Sequence, residues 1–159
     1  MERVRLETSK MRFRVKDVPG AGNCLFEAVG RNVGVDASEL RRTAVEWMLM
    51  PNQKLHGEEL SLWIQNGAEI PLSKHDPVGS YVAHMRKSGV WGGGIELAVL
   101  ATLLHRPVLV YAAESSDPGK ASRVAEFLPD GPRDEIDLLP AVCILYVGRA
   151  HYMQLVLDS

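Results

Sequence analysis

The pattern of hydrophobic and polar positions predicts helices through most of the first two thirds of the chain and strands towards its end. Helical spacing and capping residues predict helices over residues 24–31, 36–50, 57–66, 76–89 and 95–105. Alternating or continuous apolar runs predict strands over residues 11–18, 107–111, 122–128, 141–147 and 151–157. Stretches rich in proline, glycine, serine and aspartate predict loops over residues 114–121 and 129–140. This order of elements favours the α+β class over a doubly wound parallel sheet.

Three of the predicted helices have distinctive features. Asp36, with Glu39 three residues later, predicts a capping box at the start of a helix. Asp76 followed by Pro77 predicts a capped helix that has proline at its first position. Residues 95–105 are apolar on nearly every side, which predicts a central, buried helix.

Length and charge limit the functional classes. A chain of 159 residues suits one compact domain, 1–159, with residues 1–10 as an N-terminal extension. The chain has 18 Lys and Arg residues and 20 Asp and Glu residues, so its net charge is −2. This balance does not indicate the basic surface that binds nucleic acid or an anionic membrane. The basic cluster near the start alternates with apolar residues and predicts an exposed strand face: Arg3, Arg5, Lys10, Arg12, Arg14 and Lys16.

No stretch approaches the roughly 18 to 20 uninterrupted apolar residues that a membrane helix needs. The N-terminus lacks the apolar core of a signal peptide, so we expect a reducing, intracellular setting. No set of cysteines and histidines has the spacing of metal ligands, and we expect neither a metal nor another cofactor.

The two cysteines lie in different surroundings. Cys143 lies within an apolar run and is expected to be a buried structural thiol. Cys24 follows a glycine-rich turn and begins a predicted helix, where unpaired backbone N–H groups and the helix dipole favour the reactive thiolate. The same turn can direct N–H groups at the oxygen of a tetrahedral intermediate. Cys24 is therefore the candidate nucleophile, although a small buried cysteine that merely opens a helix is the structural alternative.

His151 is the candidate base. It begins the last predicted strand directly after a tight turn, and a Cys–His pair is commonly distant in sequence and close in space. A half-exposed turn histidine is the alternative. The other histidines are weaker candidates because they lie in polar loops or within helices: His56, His75, His84 and His105.

Three segments together resemble the ovarian-tumour (OTU) family of cysteine deubiquitinases. Residues 19–26 (PGAGNCLF) resemble the family's cysteine box, and residues 147–152 (VGRAHY) resemble its histidine box. Between them, Trp91-Gly92-Gly93-Gly94 and the strand at 107–111 resemble the family's Trp-Gly-Gly helix and its next strand. The three boxes occur in the family's order and span most of residues 18–157. The helices between the boxes resemble those of viral or bacterial members.

The resemblance implies a papain-like OTU fold, with a small, mostly antiparallel sheet flanked by helices. It also implies hydrolysis of isopeptide bonds at the C-terminal glycine of ubiquitin or a ubiquitin-like protein, with Cys24 as nucleophile and His151 as base. The implied oxyanion hole comprises backbone N–H groups of Ala21, Gly22 and Asn23, with the Asn23 side chain as a further donor. Trp91, Gly92 and Gly93 would flank a narrow channel suited to a Gly-Gly tail. The implied protein is a monomer that acts in the cytoplasm, which is the host's if the chain is viral or a secreted effector.

Two positions depart from the family's pattern. Ala21 stands where the family most often has aspartate, and Met153 stands where it usually has the acid that orients the histidine. On a strand, Met153 shares a face with His151, and a thioether holds an imidazole N–H poorly. A Cys–His dyad is the favoured prediction, and Asp17, upstream of the cysteine, is the best substitute for a third member.

Two further expectations follow from the resemblance. A substrate tail with arginines ahead of its two glycines would favour nearby carboxylates, and the middle segment supplies Glu58, Glu59, Glu69 and Asp76. Helix caps and solvent-exposed charges are the alternative role for these four. The missing acids also leave open a catalytically weak, ubiquitin-binding pseudo-enzyme of the same fold, and a purely structural module is the third interpretation.

Overall fold

The fold consists of a mixed sheet, a small hairpin and the helices packed against them. The structure, a computed structural model, describes residues 3–7, 12–18, 22–114, 116, 119–148 and 151–157. Its helices are α1 (Cys24–Val33), α2 (Ala37–Leu49), α3 (Leu60–Gly67), α4 (Pro77–Met85), α5 (Gly94–Leu104) and α6 (Arg133–Ile136). Its strands are β1 (Arg3–Glu7), β2 (Arg12–Lys16), β3 (Lys54–Leu55), β4 (Glu58–Glu59), β5 (Val108–Ala113), β6 (Ala121–Phe127), β7 (Val142–Val147) and β8 (His151–Leu157).

The large sheet has the strand order β1-β2-β8-β7-β5-β6, and β3 pairs with β4 separately. Neighbouring strands of the large sheet are antiparallel except β5 and β7, which are parallel. The predicted α+β class with a mostly antiparallel sheet is thereby confirmed. Lys16 at the end of β2 pairs with Gln154, and His151 begins β8 opposite Val147. The end of β2 and the start of β8 therefore lie at the same end of the sheet.

Each face of the sheet contributes to a separate apolar cluster, because successive strand residues point to opposite faces. Val108 and Val110 of β5 join the cluster formed with the helices, while Leu109 and Tyr111 join a second cluster on the other face. Helix α5 is buried along residues 95–101, which confirms the predicted central helix. None of the helices in the described part of the chain is long and apolar enough to cross a membrane.

Several predicted boundaries are wrong for local reasons. The helix expected from residue 57 begins at Leu60, because His56 (φ 51°) and Gly57 (φ 79°) form the turn of the β3–β4 hairpin. Residues 3–7, expected within an N-terminal extension, pair with β2 as an additional strand. The helix expected to reach residue 89 ends at Met85, and Gly89 adopts a left-handed conformation (φ 85°).

The loop regions and the cap of α2 also differ from expectation. The short helix α6 lies inside the predicted loop 129–140. The Asp36 side chain accepts the Ser38 N–H at the start of α2, as an N-cap residue should. The Glu39 carboxylate, expected to complete a capping box, lies 3.5 Å from the Arg42 guanidinium.

We predict that Asp76→Ala lowers the free energy of unfolding by about 1 kcal/mol, because its carboxylate caps α4 by accepting the Gly79 N–H at 2.9 Å. Asp76→Asn should cost less, since the amide oxygen can still accept that bond. Urea denaturation of the two variants measures the difference. Native stability in Asp76→Ala would show that the cap contributes nothing to the fold.

Candidate functional site

The candidate nucleophile lies where a tight turn opens into α1. Gly22 has φ 85°, a left-handed conformation that favours glycine, and Cys24 is the first residue of the helix. Neither cysteine forms a disulfide in the structure, and Cys24 is only 1% exposed. Burial raises the pKa of the Cys143 thiol, which lies in β7, so its thiolate is disfavoured. Cys143, expected to be buried, is only partly buried and packs against the second apolar cluster, whereas Cys24 is the buried thiol.

Cys24 contacts the backbone of β8 directly beside His151. The Tyr152 N–H donates to Cys24 Sγ at 3.4 Å. A backbone donor at this distance stabilises negative charge on the sulfur. Since β8 begins at His151, this contact places the Cys24 sulfur against the residue that directly follows His151.

The His151 ring is bound by Asp17. The distance from His151 Nε2 to Asp17 Oδ1 is 2.9 Å. An ionised carboxylate can only accept, so Nε2 carries the proton and Nδ1 is the nitrogen that can act as a base. The ring is therefore bound by a side-chain carboxylate, whereas the favoured prediction was a Cys–His dyad. The less favoured alternative, Asp17, occupies the third position.

The surroundings of Asp17 keep it ionised and oriented. The hydrogen bond from His151 is the largest of the effects that hold the pKa of Asp17 below its usual value, and the bond from the Val18 N–H acts in the same direction. Arg31 of α1 donates to the Asp17 main-chain oxygen at 3.2 Å. These contacts connect the end of β2 to α1 and to β8 at one point.

Met153 is engaged elsewhere. It packs against the second apolar cluster, beside buried Leu145 and Leu155. A carboxylate at this position would lose hydration to an apolar surface. Its thioether is therefore consistent with a packing role, and the orienting acid comes from the residue directly after β2 instead.

The predicted oxyanion residues are only partly described. Gly22 and Asn23 form the turn before Cys24, and Ala21 lies outside the described residues. The Asn23 side chain, predicted as a further oxyanion donor, binds other partners in the structure. Its Oδ1 accepts from the Gly89 N–H at 2.9 Å and from Arg41, and its Nδ2 lies 3.4 Å from Ser88 Oγ. Its amide joins the cysteine turn to the segment before Trp91.

Arg41 is the main residue that sequence reasoning missed. It is 4% exposed and donates to main-chain oxygens of Gly22 (3.1 Å), Met85 (2.8 Å) and Val90 (2.7 Å). Its guanidinium also lies 4.4 Å from the centroid of the Phe26 ring. The sequence did contain a signal that Arg41 is buried, because position 41 falls on the apolar face of α2. The other buried residues of that helix are Ala37, Leu40, Ala44, Val45 and Met48.

The Trp91-Gly92-Gly93 segment lines a groove of about 1000 Å³. Trp91 is half-exposed, and a Cβ at Gly92 would lie 3.3 Å from Leu25 and Phe26, so glycine allows the loop to approach α1 closely. Tyr152 lines the same groove and connects it to Cys24 through its N–H.

A buried carboxylate holds this loop. Glu96 is 1% exposed, accepts the Gly93 N–H at 2.8 Å, and accepts the Tyr81 hydroxyl at 2.5 Å. Burial raises the pKa of Glu96, and burial beside that carboxylate raises the pKa of Tyr81. Both hydrogen bonds offset part of the cost of burying the charge.

The four candidate acidic residues do not lie together. Glu58 and Glu69 line the groove with Trp91, whereas Glu59 and Asp76 line a different cavity. The described residues contain no cluster of three or more His, Cys, Asp or Glu side chains able to hold a metal ion.

The chain is similar in sequence to known proteins. The chain is 29% identical over 150 residues to ubiquitin thioesterase otu2 of Schizosaccharomyces pombe, covering 87% of this chain and 44% of that protein. The chain thus spans less than half the length of this relative.

Solved structures share the fold. The viral OTU domain protease of Qalyub virus superposes with a TM-score of 0.64 at 18% identity, covering 99% of this chain and 100% of that one. An OTU deubiquitinase of Wolbachia pipientis wMel, solved bound to ubiquitin, has a TM-score of 0.59 at 18% identity, covering 91% of this chain and 95% of that one. The family profile described as OTU-like cysteine protease matches residues 19–152. Because this match spans most of the chain and includes both Cys24 and His151, the chain belongs to the OTU-like cysteine protease family.

Proposed function

We propose that this chain is a cysteine-type deubiquitinase that hydrolyses isopeptide bonds at the C-terminal glycine of ubiquitin or a ubiquitin-like modifier. The observation that carries the proposal is the 3.4 Å contact from the Tyr152 N–H to Cys24 Sγ, because Tyr152 directly follows His151, whose Nε2 lies 2.9 Å from Asp17 Oδ1. Support also comes from the relative named a ubiquitin thioesterase and from the ubiquitin-bound neighbour of the same fold.

The roles of the three residues follow from the hydrogen bonds. Asp17 holds Nε2–H of His151, so Nδ1 takes the proton of the Cys24 thiol. The sulfur attacks the glycine carbonyl carbon, a C–S bond forms, and the carbonyl electron pair moves to oxygen. When the intermediate collapses, His151 returns the proton to the leaving lysine amine. Water then hydrolyses the thioester and regenerates the thiol.

The groove supports the substrate class. Trp91, Gly92 and Gly93 form one part of its lining, and aromatic side chains Phe127, Tyr146 and Tyr152 form another. Tyr152 links this groove to the nucleophile, because its N–H contacts Cys24 Sγ. An extended tail of two glycines, which has no side chains to accommodate, could pass the glycine-lined part of the groove on its way to the sulfur. Cytoplasmic localisation and a monomeric state stay predictions from the sequence.

We expect Cys24→Ala to abolish cleavage of di-ubiquitin, while Cys143→Ala keeps most activity and lowers the free energy of unfolding by about 1 kcal/mol. Only the first variant removes the attacking sulfur.

Ubiquitin with a C-terminal electrophile, followed by intact-mass measurement, should label the wild type and Cys143→Ala but not Cys24→Ala. Equal cleavage by Cys24→Ala and the wild type would contradict the nucleophile. Ubiquitin binding by a wild type that forms no adduct would instead indicate a pseudo-enzyme.

We expect Asp17→Ala to lower kcat more than tenfold, which is above about 1.4 kcal/mol of transition-state stabilisation, because the imidazole loses its orienting acceptor. Asp17→Asn should lose less, since its amide oxygen can still accept the Nε2–H bond. Steady-state hydrolysis of a fluorogenic ubiquitin amide measures both.

Asp130→Ala is the matched control for Asp17→Ala. Asp130 lies 3.2 Å from His56 in another exposed Asp–His pair, which is not part of the site. Its removal should leave kcat unchanged. Wild-type turnover in Asp17→Ala would restore the dyad as the working arrangement.

We expect Glu58→Arg to raise KM for a ubiquitin substrate by roughly threefold to tenfold at low salt, because it reverses a charge on the groove that would receive a basic tail. The adjacent Glu59 lines a different cavity, so Glu59→Arg is the matched control and should leave KM unchanged. Added salt should shrink the Glu58→Arg effect. Equal KM values for Glu58→Arg and Glu59→Arg would show that Glu58 is a solvent-exposed charge with no role in substrate binding.

A further inference from the structure

Arg41 is a buried cation whose hydrogen bonds go to neutral acceptors. Its guanidinium donates to main-chain carbonyls, to the Asn23 amide oxygen and to Met85 Sδ, and Glu96 acts on it only as a nearby charge. Burial lowers the pKa of Arg41, although a guanidinium keeps its charge inside proteins. Burying such a charge costs free energy unless several strong hydrogen bonds compensate. The burial of Arg41 therefore needs an explanation.

The acceptors belong to two separate segments. Gly22 and Asn23 form the turn before the nucleophile, whereas Met85 and Val90 flank the segment that leads into the Trp91 loop. The two segments also meet directly: a Cβ at Gly22 would lie 1.9 Å from the Gly89 main-chain oxygen. Arg41 therefore fixes the cysteine turn against the wall of the groove.

One of these bonds determines the direction of a peptide plane. In a trans peptide the C=O of one residue and the N–H of the next point in opposite directions. Arg41 binds the Gly22 carbonyl from the interior at 3.1 Å, so the Asn23 N–H is directed away from Arg41. A peptide beside a glycine can flip at low cost, because glycine tolerates the backbone angles on both sides of the flip.

We infer that Arg41 is a positioning residue for the oxyanion hole: by holding the Gly22 carbonyl, it keeps the Asn23 N–H available to the oxygen of the tetrahedral intermediate. This inference rests on the proposed function. The carbonyl electron pair that moves to oxygen when Cys24 Sγ bonds to the glycine carbon is stabilised by this N–H. Arg41 touches neither the substrate nor the sulfur and acts through the peptide that it holds.

Two ubiquitin probes separate this role from a merely structural one. A fluorogenic C-terminal amide of ubiquitin reacts through a tetrahedral oxyanion. A ubiquitin with a C-terminal haloalkyl group alkylates the same sulfur by displacement at a saturated carbon, which forms no oxyanion. Both reactions need Cys24 and the ubiquitin-binding groove, and saturating probe removes differences in binding from both rates.

For Arg41→Lys we expect amide turnover at saturation to fall about 100-fold, the effect of losing one oxyanion donor, while the alkylation rate stays within about threefold of the wild type. Lysine keeps the charge but cannot donate to all four of the oxygens that the Arg41 guanidinium binds. Equal losses in both reactions would show a structural role and overturn the inference.

Controls keep this test decisive. Arg42 is the exposed neighbour of Arg41 and pairs with Glu46, so Arg42→Lys should leave both rates unchanged. If Arg41→Lys fails to fold by circular dichroism, Phe26→Leu removes the ring beside the guanidinium and should lower amide turnover more than alkylation. If the ratio of amide turnover to alkylation rate in Phe26→Leu equals that of the wild type, the inference is overturned. A wild type that reacts with neither probe would overturn the proposed function, and the inference with it.

Discussion

The antiparallel pairing of β2 with β8 joins the two ends of the chain at the place where its candidate reactive groups meet. Asp17 follows β2, His151 begins β8, and Cys24 begins the helix that comes after the next turn. None of the three is close to another along a single element, so their proximity depends on this pairing. The second apolar cluster packs side chains of both strands together, Phe13 and Val15 with Leu155, and so stabilises the pairing that the site needs.

Two buried charged side chains hold the glycine-rich turns on either side of Cys24. Arg41 binds the turn that contains Gly22, and Glu96 binds the turn that contains Gly93. Glycine is needed in these turns for close approach and unusual backbone angles, but it also makes them easy to deform. Side chains that donate or accept in the interior remove that freedom, because leaving a buried carbonyl or N–H unpaired costs about 1 to 3 kcal/mol.

The sequence was informative wherever a local pattern decides the outcome. The apolar run of α5, the Asp76–Pro77 start of α4 and the positions of Cys24 and His151 in their elements were all predictable, because they rest on periodicity and capping. The β3–β4 hairpin was missed because its two-residue strands are too short to show a period. Arg41 was missed because a charged residue on an apolar helix face is normally assigned to solvent, and its partners are distant along the chain.

The sequence could identify Asp17 as a candidate for the acid that orients His151, but it could not show that Asp17 is a better choice than a Cys–His dyad. Strand alternation correctly placed Met153 on the face of His151, yet that face continues into the apolar cluster around Leu155. Whether Asp17 points at the imidazole or at water depends on the register of β2 against β8, and register is a property of the assembled sheet. With Lys16 opposite Gln154, the acid reaches Nε2 from the neighbouring strand. An acid directly after β2 leaves position 153 free to pack, so this sheet can stabilise itself and orient the histidine without burying a carboxylate in its apolar face.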